Sequence, residues 1–167
     1  MAWDDTRSLG TNIMSAPTAK ACPCDSHKNY TDCCAPYLTQ QKSPASAEAL
    51  MRSRYTAYSQ KNENYLLASW HPSTRPMSLN LSERSSQHWQ NLTILFTEKG
   101  QPLDNTGVVA FIARYLEGNE LQHLCEKSRF EKLDGRWYYL DGDILSLSKN
   151  GPCPCQSGKK FKRCCGK

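Results

Sequence analysis

The run Cys-Pro-Cys, eight residues, Cys-Cys occurs twice in this chain of 167 residues. Cys22, Cys24, Cys33 and Cys34 make the first copy, and Cys153, Cys155, Cys164 and Cys165 the second. Of the nine cysteines only Cys125 stands outside the pattern. A repeat of one spacing at both ends reads as a duplicated four-thiol unit. Four thiolates from so short a segment suit a tetrahedral Zn²⁺ with Zn–S bonds of about 2.3 Å. The proline stiffens the first pair's knuckle, and the second pair returns on a short turn or helix. Gly158 supplies a positive φ where the second loop reverses. Such a unit buries too little apolar area to fold alone, and metal binding of about 10–16 kcal/mol would stabilise it. Zinc held by four cysteines is the preferred reading of both copies. Disulfides, an iron–sulfur cluster, and His27 in place of one cysteine of the first copy are the alternatives. With four cysteines bound no position stays open for water, so the metal would be structural.

Compartment and charge narrow the reading. No stretch approaches about 18 uninterrupted apolar residues, which excludes a helical membrane span. Asp4 and Asp5 near the start, with no apolar run behind them, do not read as a secretory signal. The expected location is cytoplasmic, where thiols stay reduced and disulfides are disfavoured. The formal charge of +5 comes wholly from Lys159, Lys160, Lys162, Arg163 and Lys167. Four thiolates around Zn²⁺ carry a net negative charge, so two such sites bring the chain close to neutral. What remains is a local basic patch on one cysteine unit, expected to meet an acidic protein surface; nucleic acid is the less favoured partner. A plain solvated tail is the bland alternative.

Between the units, the periodicity first suits helices and then strands. Ser43 and Pro44 read as a helix cap and first turn, followed by an apolar face of Ala47, Met51, Tyr55 and Tyr58. Asn62 breaks that pattern. A second helix through Tyr65, Leu66, Leu67 and Trp70 must stop near Pro72. From Trp89 the period becomes two, giving a strand through Leu92, Ile94 and Phe96. Strands follow over 107–116, about 121–133 and 136–141, with turns at Gly118-Asn119 and Asp134-Gly135. Helices followed by an antiparallel meander define an α+β domain.

Residues 151–166 read GPCPCQSGKKFKRCCG and closely resemble the SEC-C zinc motif, named for the tail of the bacterial preprotein translocase ATPase. The resemblance implies binding to a protein-export chaperone or to the ribosome. The first copy keeps the cysteines and Ser26 but lacks the Gly-Lys-Lys loop. LMRSRYTAY (50–58), WHP (70–72), SRF (128–130) and GRWYYLDG (135–142) are similar to the bacterial YchJ-like family. That family places SEC-C motifs around a domain similar to nuclear transport factor 2, which implies a cone of helices on a curved sheet. The expected organisation is a disordered extension over 1–20, a SEC-C motif over 21–42, the cone over 43–148 and a second SEC-C motif over 149–167.

Two-residue turns predict which side chains share a face of the sheet. One face would collect Val109, Phe111, Ala113, Tyr115, Leu124, Glu126, Ser128, Phe130, Trp137, Tyr139, Asp141 and Asp143. Being the more aromatic, it is expected to be concave and to lie under the helices. The other would collect Val108, Ala110, Ile112, Arg114, His123, Cys125, Lys127, Arg129, Tyr138 and Leu140. Glu126 is then the candidate acid or base of a pocket, with Asp141 and Asp143 beside it and His71 and Tyr139 completing it. Cone-shaped relatives include isomerases and dehydratases, which makes a small-ligand binder or acid–base enzyme the alternative function. An ion pair of Glu126 with Arg52, Arg54 or Arg114 is the competing structural reading. Gly118 and Gly142 read as turn glycines, and Cys125 as a half-buried strand residue.

Overall fold

The computed structural model describes residues 20–84 and 86–167. The expected extension over 1–20 lies outside the described residues except for Lys20.

A short helix, α1 (Ala35–Leu38), leads from the first cysteine unit into α2 (Ala47–Ser59) and α3 (Glu63–Ala68). The helix expected from Ser43 starts later, because Ser46 is the cap and accepts from Ala49 N at 3.1 Å. Tertiary contacts hold the chain ahead of it: Ala45 O accepts from Trp137 Nε1, and Ala47 N donates to Gly100 O at 2.9 Å. Gly100 sits at φ 76°, and a Cβ there would meet Ala47 Cβ at 2.7 Å, so glycine lets the helix start rest on the sheet. Asn62, where the helical pattern breaks, caps α3 through Tyr65 N.

Four antiparallel strands follow in sequence order: β1 (Gln87–Lys99), β2 (Thr106–Glu117), β3 (Glu120–Leu133) and β4 (Arg136–Ile144). The expected turns hold. Glu117 pairs with Glu120, Phe111 with Glu126, and Leu133 with Arg136. Bulges at Gln90 and Leu95 bend β1, which curves the sheet around the helices. The helices cover the concave face, where Val109, Phe111, Ala113, Phe130 and Trp137 join Leu50, Met51, Tyr55 and Leu66 in the main core.

One part of the predicted register is corrected. Arg129 pairs with Asp141 but Phe130 pairs with Tyr139, which leaves Leu140 as an extra residue. Beyond that bulge every side chain of β4 changes face. Asp141 and Asp143 therefore lie on the convex side, where both bind Arg129, Asp143 at 2.5 Å. The bulge is fastened from outside the sheet. His71 N donates to Tyr139 O, Tyr139 N donates to Ser69 O, and Thr74 Oγ1 donates to Leu140 O at 2.6 Å. The segment after α3 thus covers the free edge of β4.

The two cysteine units flank this domain on different sides. Cys22, Cys24, Cys34 and Leu38 join the main core, with Cys22 beside Thr56 and Cys24 beside Arg52 of α2. On the convex face, Cys153 and Phe161 pack with Ile112 and Cys125, supported by Leu95, Leu145 and Leu147. None of the described helices is long and apolar enough to cross a membrane.

Candidate metal centres and the cone cavity

Each cysteine unit is a short loop closed by backbone hydrogen bonds, and the second repeats the main bonds of the first. Cys22 N binds Lys28 O at 2.9 Å, and Cys153 N binds Lys159 O at 2.8 Å. Tyr30 N reaches Lys20 O as Phe161 N reaches Gly151 O. The serine of each loop lies on the third sulfur, Ser26 Oγ 3.1 Å from Cys33 Sγ and Ser157 Oγ 3.3 Å from Cys164 Sγ. His27 and Gly158 hold the same place at φ 61° and 73°, so histidine adopts a conformation that glycine adopts freely.

The sulfurs form two compact shells, with all four ligand atoms of each within 4.8 Å of one another. Neighbouring sulfurs are 3.6 and 3.8 Å apart in the first and 3.3 to 3.9 Å apart in the second. A regular tetrahedron with bonds of about 2.3 Å has an edge of about 3.8 Å, so each shell fits one ion. It is too tight to enclose an iron–sulfur cluster, and all nine cysteines are free thiols, so neither alternative fits. His27 is exposed and takes no part in the shell.

Two matching positions, Cys24 with Cys155 and Cys34 with Cys165, shift the same way. Hydrogen bonding from Cys22, with Cys34 next, holds Cys24 far below the ordinary thiol range. Ser157 and then Cys153 bring Cys155 down to about 6, against the burial that opposes them. Burial pushes Cys33 up to about 11, while the hydrogen bond with Cys22 raises Cys34 further. Burial raises Cys165 too. Crowded thiols resist joint ionisation, and a bound dication would remove that penalty.

Lys159, Lys160, Lys162 and Arg163 are all exposed around the second shell. Their module is held from the other side: Phe161 is 7% exposed, its ring faces His123 edge-on at 6.0 Å, and Arg114 Nη2 donates to Cys165 O. Cys125, expected to be half-buried, is 1% exposed beneath this contact, and burial pushes its thiol up to about 11.

A cavity of about 360 Å³ opens inside the cone. Tyr55, Tyr58, Trp89, Phe111 and Tyr115 wall it, and Arg54, Trp70, Glu126, Ser128 and Tyr139 line its polar side. Glu126 and Tyr139 both line it, whereas Asp141, Asp143 and His71, also expected there, do not. Glu126 Oε1 accepts from Ser128 Oγ at 2.6 Å and from Tyr139 OH at 3.0 Å. A Cβ on Gly142 would stand 2.1 Å from that oxygen. Gly142 is therefore no turn glycine: it lies within β4 opposite Ser128, and the missing side chain makes room for the carboxylate. Burial, then Glu126, pushes the Tyr139 phenol well above its usual range, keeping it a donor.

None of the expected arginines pairs with Glu126. Arg52 binds Glu48 and Cys24 O, and Arg114 serves Asn91, Thr93 and Cys165 O. Arg54, 3% exposed, uses Nη1 on Leu66 O and Ser69 Oγ, with Trp70 and Tyr139 rings at 5.0 and 4.5 Å. Burial lowers its affinity for a proton; nearby phenols and then Glu126 oppose that. Trp70 Nε1 is buried without an acceptor among the described residues. His71 does not reach the cavity. Its Nδ1 lies 2.6 Å from Ser73 Oγ, and its Nε2 faces Glu131 at 3.7 Å. Ser128, two residues from Glu126 on one strand, was a legible partner; Gly142 was hidden by the bulge.

These observations define a class: a cone of helices on a curved antiparallel sheet, flanked by duplicated four-cysteine clusters that could each hold a metal ion. The profile of the YchJ middle NTF2-like domain matches residues 46–142, and the SEC-C motif matches 150–167. A UPF0225 protein of Pectobacterium carotovorum is 46% identical over 155 residues, 89% of this chain and 99% of that protein. The chain belongs to this YchJ-type UPF0225 family. The solution structure of a SEC-C motif containing protein from Rhodopseudomonas palustris is similar, with TM-score 0.69 and 36% identity over 76% of this chain and 100% of that one. A crystal structure of a SEC-C motif containing protein from Psychrobacter arcticus gives TM-score 0.62 and 28% identity, over 88% of this chain and 96% of that one.

Proposed function

We propose that this chain is an interaction protein braced by two structural Zn²⁺ ions, one in each four-cysteine shell. The second module would present Lys159, Lys160, Lys162 and Arg163 to an acidic protein partner in the cytoplasm. The observation that carries this is the division of the second module into two sides. Phe161 and Cys153 are buried against the convex sheet face, while all four cations are exposed. Zinc suits the shells because a d¹⁰ ion accepts four thiolates at tetrahedral angles. The SEC-C motif favours an export chaperone or the ribosome as the partner. Mass spectrometry of the intact native chain should find two zinc ions. Replacing the four cations with alanine should abolish partner capture and its salt dependence while keeping both ions. Capture by that variant at wild-type strength would overturn the reading, and loss of capture on nuclease treatment would reassign the patch to RNA.

The cone supports a second reading, a small-ligand binder, because its cavity of about 360 Å³ is not filled by the described side chains. Glu126 and Tyr139 line it without His71, which favours binding over paired acid–base chemistry.

A further inference from the structure

The cone cavity holds one acid and one base, and their partners decide what it accepts. Glu126 takes both of its hydrogen bonds on Oε1, and Oε2 has no partner among the described residues. A carboxylate oxygen only accepts, so it asks a ligand for a donor. Arg54 places a buried positive charge in the same wall, with the Tyr139 ring against its guanidinium and the Tyr139 hydroxyl on Glu126. The two charges cancel within the cavity. A charged ligand would leave a net charge in a poorly solvated space, whereas a neutral one would not.

The aromatic residues beside this acid and base set the shape. Trp89 meets Tyr55 at 5.6 Å and Tyr115 at 5.2 Å, and Phe111 lies beside them. Such rings favour a flat aromatic guest in offset or edge-on contact. The volume, about 360 Å³, lies at the small end of ligand pockets, which span about 300–1,000 Å³.

The geometry points to a binding site for a neutral, flat aromatic alcohol, its hydroxyl donating to Glu126 Oε2 and its ring lying among Tyr55, Trp89, Phe111 and Tyr115. This rests on the small-ligand reading of the cone. Gly142 and Ser128 are positioning residues in it: one leaves room for the carboxylate and the other fixes Oε1.

Four probes with one ring system separate the possibilities on the metal-loaded full chain by titration calorimetry. They are 2-naphthol, 2-methoxynaphthalene, 2-naphthoate and 2-naphthylmethylammonium. The alcohol should bind about tenfold or more tightly than the methyl ether, as expected for a hydrogen bond to a carboxylate. Both ions should bind more weakly than the alcohol. Glu126→Gln would present an amide N–H₂ where Oε2 stood, and the advantage of the alcohol should fall to within about twofold. If that variant does not fold, the ranking on the wild-type chain decides alone. Tightest binding of the ammonium would make Glu126 a counter-ion, and tightest binding of the naphthoate would make Arg54 the anchor; either overturns the assignment. Equal binding of all four would overturn it while leaving a ligand-binding cone. No binding at millimolar concentration would remove both.

Discussion

In the first cysteine unit Cys22, Cys24 and Cys34 are 5%, 0% and 1% exposed, whereas in the second only Cys153, at 4%, is buried. The loops share their backbone hydrogen bonds, their serine and their sulfur geometry. The difference lies in what they pack on. Cys34 leads directly into α1, and Arg52 of α2 donates to Cys24 O at 3.0 Å, so the first shell is part of the main core. The second rests on the convex sheet face through Phe161 and a few strand side chains. One motif can thus be a structural part of a domain or an attachment to it, depending on the surface beside it.

The largest test of that contrast removes one ligand from each shell. Cys24→Ser and Cys155→Ser should each halve the metal content. Metal binding of about 10–16 kcal/mol exceeds the stability of most domains, so losing it from the core should unfold the cone. Losing it from the second shell should free only residues near 150–167. Thermal melting by circular dichroism, with hydrogen exchange of the tail, reads both, and two variants melting together would erase the distinction.

Matching positions 30 and 161 come next. Phe161→Ala should cost about 3–5 kcal/mol of docking, because its ring is buried beside Ile112 and Cys125. Tyr30→Ala should cost about 1 kcal/mol, since the half-buried Tyr30 contributes a hydrogen bond to Gln60 at 3.1 Å. Exchange protection of each loop measures the two. Equal losses would mean that both modules are seated alike.

Metal release should follow burial. A chelator is expected to empty the more open second shell about tenfold or more faster, seen as two phases of metal loss. Acid should widen the gap. Cys155 is held near 6, so it takes up a proton as pH falls from 7 to 5, whereas Cys24 is held lower still by its neighbouring thiols. The metal then competes with one proton more in the second shell, and its affinity falls more steeply with falling pH. Parallel pH profiles for the two shells would contradict this.

The smallest effect exchanges the residues at positive φ. Gly158→Ala should destabilise its loop by about 1 kcal/mol, and His27→Gly should stabilise the other by a similar amount. Chelator concentrations at half-release report both signs.

The cysteine spacing was legible because a metal shell is written locally, in one short segment with its own turns. Two hairpin turns were legible for the same reason, and with them the pairing of Phe111 with Glu126. The start of α2 was missed by three residues because Gly100 and Trp137, distant in sequence, hold the chain before it. The faces of Asp141 and Asp143 were missed because the bulge at Leu140 has no marker of its own in the strand. It is secured by Ser69, His71 and Thr74 from the segment after α3. That shift put Gly142 beside Glu126 in place of the two acids, and left Ser128 and Tyr139, already expected on that face, as its partners.

The sequence by itself determined two four-thiol units, an α+β body between them, and a basic patch on one unit. Each of these depends on residues close together along the chain, where spacing and period carry the information. Tertiary structure alone decided that the first shell lies in the core and the second on the convex face, and that the described side chains leave the cone hollow. It also decided that one oxygen of Glu126 stands without a partner among the described residues. These depend on packing between segments far apart in sequence, where a bulge of one residue moves every later side chain to the other face.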